Sequence, residues 1–144
     1  MFAALPMIAD RHLLLLLGWL AFGPAAAADL PPQTMTLMPG KPAAREFALP
    51  DMDKKIYRLS EARGQVTMVN FWATWCPPCR RELPSMQRLW EQLRGQGFAM
   101  YAINLGEDEE AIFPFILSTG VEVTFPILLD RRAEIVKQWP VLAI

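Results

Sequence analysis

The chain has few residues of the kinds that build metal sites or frameworks of structural disulfides. Its 144 residues include two cysteines, Cys76 and Cys79, and one histidine, His12. A closed zinc site needs four ligands, so this inventory argues against half of a zinc site and against other soft-metal sites. An inert structural disulfide is also disfavoured, because a loop this short gains little stability from being closed. We expect no metal and no cofactor.

Runs of positive charge are also missing. The chain has 14 lysines and arginines against 15 aspartates and glutamates, and its net charge is −1. Nucleic-acid surfaces need clustered positive charge, so we expect no nucleic-acid partner. The acidic stretch Glu107–Glu110 is typical of a solvated helix start, where carboxylates interact favourably with the positive end of the helix dipole.

The N-terminal region has the order of charged, apolar and small residues that is typical of a secretory signal peptide. Arg11 and His12 precede the uncharged residues 13–28, a run of 16 that ends in four alanines. This run is shorter than the ~20 residues that span a bilayer comfortably. We expect residues 1–28 to be a signal peptide cleaved after Ala28 or an uncleaved membrane anchor. Both predict a periplasmic location or the extracytoplasmic face of the inner membrane, where disulfides persist.

The remaining sequence predicts a single α/β domain. Residues 29–44 are rich in Pro, Met and Thr and predict a linker, and the domain follows over residues 45–144. The alternating segments Arg45–Leu49 and Ile56–Leu59 predict a β-hairpin. Apolar runs that alternate with helical patterns then predict a largely parallel sheet. Its predicted strands are Gln65–Ala73, Phe98–Leu105 and Phe125–Asp130, and its predicted helices are Pro77–Gly95, Glu107–Ser118 and Arg132–Trp139.

The cysteine pair lies where the first of these parallel strands meets its helix. A thiolate is the nucleophile in disulfide exchange, and the free N–H groups and dipole at a helix start stabilise a negative sulfur. Cys76 is therefore expected to attack a partner, and Cys79, one helical turn later, to resolve the mixed disulfide. Pro77 and Pro78 stiffen the ring between the two sulfurs and remove two N–H donors.

The stretch Val69–Pro84, which includes Trp-Cys-Pro-Pro-Cys, closely resembles thioredoxin-like thiol-disulfide oxidoreductases of the TlpA/ResA type, within the redoxin superfamily. Weaker matches at Phe47–Asp51 and Phe125–Asp130 extend the resemblance over about residues 40–140. The resemblance implies a thioredoxin-like fold and an exported enzyme that reduces protein disulfides, for example in cytochrome c maturation. Its implied partners are disulfide-containing protein substrates and an upstream membrane thiol donor.

The resemblance also implies roles for neighbouring residues. Asn70 stands where cytoplasmic thioredoxins carry a buried aspartate, and an amide cannot move a proton. Glu82 matches a glutamate of the TlpA/ResA type, which implies that a partly buried carboxylate takes the Cys79 proton; the alternative is an exposed residue of the first helical turn. We expect Trp75 to shield the disulfide and to offer apolar surface to a partner, and Trp72 to pack in the core.

The C-terminal residues depart from the pattern of the family. Members continue into a Gly-x-Pro-Thr loop with a cis proline, two antiparallel strands and a final helix, whereas this sequence stops at Ile144. We therefore expect an incomplete thioredoxin-like fold without these elements, with Val66–Phe71 as an exposed sheet edge and lowered stability. A catalytically impaired remnant or binding module is the alternative function. A thiol peroxidase is less favoured because a Pro-x-x-x-Thr-x-x-Cys motif is absent.

Overall fold

A computed structural model describes residues 37–40, 42–141 and 144. The predicted signal peptide or anchor, residues 1–28, lies outside the described residues, as does most of the predicted linker. Within the described part of the chain, no helix has both the length and the apolar character needed to cross a membrane.

In the described part of the chain, five strands form two small sheets. Strands β1 (Ala48–Pro50) and β2 (Ile56–Arg58) pair antiparallel, which confirms the predicted hairpin in a shorter form. Strands β3 (Val66–Trp72), β4 (Phe98–Leu105) and β5 (Ile127–Asp130) are parallel and lie in the order β3-β4-β5. The parallel sheet and its strand positions agree with the prediction from the apolar runs.

Two α-helices connect the parallel strands. Helix α1 spans Pro77–Leu93, and helix α2 spans Glu109–Thr119 and ends at Gly120, whose positive φ of 69° suits glycine. Both crossovers are therefore of the β-α-β kind that parallel strands require.

The predicted third helix, Arg132–Trp139, is wrong: only a three-residue 3₁₀ turn, Val136–Gln138, forms there. The Asp130 carboxylate accepts hydrogen bonds from the N–H groups of Glu134, Ile135 and Val136. Ala133, with a φ of 50°, bends the chain just before them. Together with Pro140, these features leave too few residues to nucleate an α-helix.

Apolar side chains cover both faces of the parallel sheet, because alternate residues of a strand point to opposite faces. The middle strand β4 is buried over its six central residues. The first face packs on α1 and α2, and its buried cluster consists of Trp72, Cys76, Cys79, Leu83, Met86, Met100, Ala102, Ile112, Phe125, Ile127 and Leu129. The second face packs on the hairpin region, and its cluster consists of Phe47, Leu49, Ala62, Phe71, Ala99, Tyr101, Ile103 and Leu128.

Strand β3 lies at the edge of the sheet. Among the described residues it pairs with β4 alone, and Val66 at its start is 73% exposed. The ring of Trp139 packs against that of Phe71 in an edge-on contact, with the centroids 5.6 Å apart. A strand side that has no partner among the described residues can pair with another strand, and the predicted exposed edge of the whole protein stays a prediction.

Candidate active site

The cysteine pair lies in the turn that joins β3 to α1. Cys76 is the N-cap residue of α1, with extended backbone angles, and its N–H donates to the carbonyl oxygen of Ala73 at 3.2 Å. Cys79 lies in the first turn of the helix, and the two residues form a disulfide with their Cα atoms 5.4 Å apart. The strand–turn–helix setting is the one that the sequence predicted.

The start of α1 directs its first available N–H group at the Cys76 sulfur. Pro77 and Pro78 occupy the first two helical positions and have no N–H to donate. The N–H of Cys79 comes next, and it donates to Cys76 Sγ at 3.3 Å. In a reduced protein such a hydrogen bond and the helix dipole would favour negative charge on Cys76; its role as the attacking sulfur stays a prediction.

The two cysteines are enclosed, whereas the residue before them is open. Cys76 is 2% exposed and Cys79 is 5% exposed, while Trp75 is 65% exposed. Trp75 therefore presents a large apolar surface beside the buried disulfide, and its contact with a partner stays a prediction. Trp72 is 1% exposed and its ring lies 5.6 Å from that of Phe115, which confirms the predicted core position.

Asn70 and Glu82 differ in how they meet their predicted roles. Asn70 is half-buried in β3, and its side-chain amide contacts Met86 Sδ on α1 at 3.4 Å. Glu82 is exposed, so the expected partial burial is wrong. The buried face of α1 carries Cys79, Leu83 and Met86, and Glu82 lies at the edge of that face, where its side chain is exposed to solvent. The proton-accepting role of Glu82 stays a prediction.

A carboxylate that the sequence analysis assigned to solvent holds the active-site turn. Glu107 is half-buried, and its side chain accepts hydrogen bonds from the Thr74 N–H at 2.8 Å, from the Thr74 hydroxyl and from Asn104 Nδ2 at 2.7 Å. The prediction of a solvated helix start at position 107 is wrong, because α2 begins at Glu109 with Asp108 as its N-cap. Recognising Asp108 as the capping residue would have separated Glu107 from the helix.

A buried amide ties α1 to the segment before β5. Gln87 is 6% exposed. Its Nε2 donates to Thr124 Oγ1 at 2.8 Å, and its Oε1 accepts from the Thr124 N–H at 3.0 Å. This pair of bonds fixes the helix that carries both cysteines against the sheet, so the site rests on a rigid support.

Tyr101 is an ionisable residue that lies away from the cysteine pair. Burial, followed by the negative charge of Glu61, raises the pKa of Tyr101 above its ordinary value of 10.0. Tyr101 packs on the opposite face of the sheet from the cysteines. Across the described ranges, no group of three or more His, Cys, Asp and Glu side chains could hold a metal ion.

Comparisons with known proteins agree with this geometry. The model of the AhpC/TSA family matches residues 39–143. Thiol-disulfide oxidoreductase ResA of Geobacillus kaustophilus is 38% identical over 98 residues, which cover 68% of this chain and 55% of that protein. The sporulation thiol-disulfide oxidoreductase A of Bacillus subtilis is 29% identical over 134 residues, covering 91% of this chain and 75% of that protein. The chain spans about half the length of the curated ResA relatives that it matches.

A solved structure extends the similarity to the fold. A thiol-disulfide oxidoreductase from Bacteroides fragilis superposes with a TM-score of 0.62 at 28% identity, covering 72% of this chain and 78% of that one. The thioredoxin-like α/β fold and the resemblance to the TlpA/ResA type are thereby confirmed. The chain belongs to the AhpC/TSA family, as a thioredoxin-like redoxin of the ResA kind.

Proposed function

We propose that this protein is a thiol-disulfide oxidoreductase that reduces protein disulfides through Cys76 and Cys79. The observation that carries the proposal is the position of Cys76 Sγ at the N-cap of α1, where it accepts the Cys79 N–H at 3.3 Å. A sulfur held there has the stabilised thiolate that disulfide exchange requires. The curated relatives at 36–38% identity carry the name thiol-disulfide oxidoreductase, which supports the same activity.

The reaction begins from the reduced dithiol. The Cys76 thiolate attacks one sulfur of the substrate disulfide, whose S–S bond breaks as its other sulfur leaves as a thiolate and takes up a proton. Cys79 then loses its proton and attacks Cys76 Sγ in the mixed disulfide, which releases the second substrate sulfur. The two substrate sulfurs leave as thiols: the protein supplies two electrons and the Cys79 proton, the solvent supplies the second proton, and the Cys76–Cys79 disulfide closes.

Glu82 is proposed to accept the Cys79 proton in the second step. It lies three residues after Cys79, a spacing that places the two side chains on neighbouring positions of α1. Its exposed carboxylate can then pass the proton to solvent. Trp75, 65% exposed beside the pair, is proposed to provide the apolar contact for the substrate.

The place of action is proposed to be outside the cytoplasm. The pattern of residues 1–28 supports export to the periplasm or to the extracytoplasmic face of the inner membrane, where residues 13–28 would serve as the anchor if they are not cleaved. A membrane thiol donor would return the disulfide to the dithiol after each cycle. Cytochrome c maturation, which presents disulfides of apocytochromes for reduction, is the proposed pathway.

Reduction of insulin by dithiothreitol tests the activity, because separated insulin chains precipitate and scatter light. The protein should accelerate the reaction catalytically, and Cys76→Ser should return the rate to that of dithiothreitol alone. Arg88→Lys, an exposed change on the same helix, is the matched control and should keep the wild-type rate. A wild-type protein that gives no acceleration would contradict the proposed activity.

A catalytically impaired remnant or binding module is the second candidate. The side of β3 that has no partner among the described residues favours binding, because such an edge can pair with another chain. Such a protein would still exchange its Cys76–Cys79 disulfide with glutathione. It would fail to accelerate insulin reduction, because it would bind a protein without turning it over. The two assays together therefore separate an enzyme from a remnant, and peroxide consumption above that of Cys76→Ser would indicate a peroxidase.

A further inference from the structure

We propose that Glu107 is a positioning residue that fixes the attacking sulfur of Cys76 through Thr74. The inference rests on the proposed function in that Cys76 is taken as the attacking residue. Glu107 lies 31 positions after Cys76 in the sequence, yet its carboxylate accepts both the N–H and the hydroxyl of Thr74. It therefore reaches the active-site turn from the loop that follows β4.

The turn that Glu107 holds is the one that places Cys76. Thr74 lies between Ala73, the residue after β3, and Cys76, the N-cap of α1. The Cys76 N–H closes this turn on the Ala73 carbonyl at 3.2 Å. A change in the backbone at Thr74 therefore changes the direction in which the Cys76 side chain leaves the turn.

The Glu107 carboxylate is bound to the central, buried strand of the parallel sheet. Asn104 is fully buried near the end of β4, beside Trp72 of β3 in the register, and its Nδ2 donates to Glu107 Oε2 at 2.7 Å. Oε2 also accepts the Thr74 N–H at 2.8 Å, so one oxygen joins β4 to the active-site turn. Hydrogen bonds to an ionised acceptor are among the stronger ones, and unpaired buried donors are costly.

Loss of the Glu107 contacts is expected to change the reactivity of Cys76 as well as the geometry of the turn. Cys76 Sγ receives the Cys79 N–H only while the turn keeps its direction, and that contact is 3.3 Å long. A loosened turn would let the sulfur leave the helix start, which would raise the pKa of the Cys76 thiol. A smaller fraction of Cys76 would then be ionised at neutral pH, and its attack on a disulfide would slow in proportion.

Two substitutions at position 107 separate geometry from charge. In Glu107→Gln, the amide oxygen can accept from the Thr74 N–H and Asn104 Nδ2, while the amide nitrogen donates to the Thr74 hydroxyl, which can also accept. This variant keeps the bonds and loses the charge. Glu107→Leu has a similar size and accepts no hydrogen bond, so it loses the bonds as well.

Substitutions at Thr74 test the same contact from its other end. Thr74→Val keeps the N–H donor and removes the hydroxyl, whereas Thr74→Ser restores the hydroxyl. Glu110→Gln removes a carboxylate from an exposed position three residues along the chain and serves as the matched control. All variants are made in a Cys79→Ser background, which leaves Cys76 as the only thiol and keeps the N–H of residue 79.

The measurement is the rate of Cys76 alkylation by iodoacetamide as a function of pH. Glu107→Leu should raise the midpoint pH of the alkylation profile by about one unit. At pH values below that midpoint, it should slow alkylation about tenfold. Thr74→Val should move the midpoint in the same direction by a smaller amount, about twofold in rate. Glu107→Gln, Thr74→Ser and Glu110→Gln should stay within about twofold of the parent protein.

A folded Glu107→Leu protein with the parent pH profile would overturn the proposal. If Glu107→Leu does not fold, the two Thr74 variants provide the test. A pH profile of Cys76 alkylation that shifts in Thr74→Val and not in Thr74→Ser supports the inference, and identical profiles in the two variants overturn it. Alkylation needs no disulfide substrate. Failure of the wild-type protein to reduce insulin would therefore contradict the proposed function and leave this test of Glu107 intact.

Discussion

The segments that follow β3 and β5 occupy equivalent places in the fold and behave differently. Each leaves the carboxyl end of a parallel strand, and the sequence predicts a helix after each. After β3, Cys76 caps the helix α1, which runs for 17 residues. After β5, Asp130 binds three successive N–H groups, and only a 3₁₀ turn of three residues forms.

The difference shows what makes the first segment suitable for redox chemistry. In the segment after β5, a permanent carboxylate already occupies the free N–H groups, so no further negative group can use them. In the segment after β3, two prolines remove the competing donors and leave the Cys79 N–H to a sulfur that can gain and lose charge. The backbone N–H groups that follow a parallel strand therefore bind a stabilising carboxylate after β5 and a reactive sulfur after β3.

The largest expected effect comes from removing the Asp130 carboxylate. Asp130→Ala leaves three backbone donors without their acceptor in a position that is 4% exposed, and should lower the free energy of unfolding by about 2–4 kcal/mol. Denaturant unfolding measures this loss. Asp130→Asn, which keeps one acceptor oxygen, should lose less.

The pH profile of Cys76 alkylation should not change in Asp130→Ala, because this carboxylate stabilises the other segment. A shifted profile would break the comparison, since it would mean that the two segments are not independent. Unfolding at the same denaturant concentration as the wild type would instead show that the three bonds contribute nothing.

A smaller effect is expected from the prolines of the active-site helix. Pro78→Ala adds an N–H at the second helical position, which lies within reach of an N-cap side chain, and should lower the pKa of the Cys76 thiol by about half a unit. Pro77→Ala adds an N–H at the first position, outside that reach, and is the matched control. The pH dependence of alkylation measures both.

The sign of this shift matters more than its size. If Pro78→Ala raises the pKa of Cys76 or leaves it equal to that of Pro77→Ala, the prolines do not act by removing donors. Both variants should unfold within about 1 kcal/mol of the wild type, because proline and alanine are both tolerated in a first helical turn.

The features that the sequence predicted well depend on burial and local spacing. The strands β3, β4 and β5 are apolar runs because the sheet is covered on both faces. The turn before α1 was predicted from its local sequence, the Cys-Pro-Pro-Cys stretch directly after an apolar run. The errors come from contacts between distant or competing groups. Asp130 binds the N–H groups of a short 3₁₀ turn where a longer helix was predicted, and Glu107 binds Thr74 across 33 positions. The exposure of Glu82 follows from which face of α1 packs on the sheet, which the local pattern leaves open.

The central claim is that Cys76 attacks and Cys79 resolves, and trapping a mixed disulfide tests it most directly. Reduced Cys79→Ser and Cys76→Ser proteins are each mixed with excess insulin at pH 7, and covalent adducts are measured by mass spectrometry before and after dithiothreitol. We predict that Cys79→Ser accumulates a reducible adduct through Cys76, while Cys76→Ser forms it far more slowly. Equal or faster adduct formation through Cys79 would contradict the account.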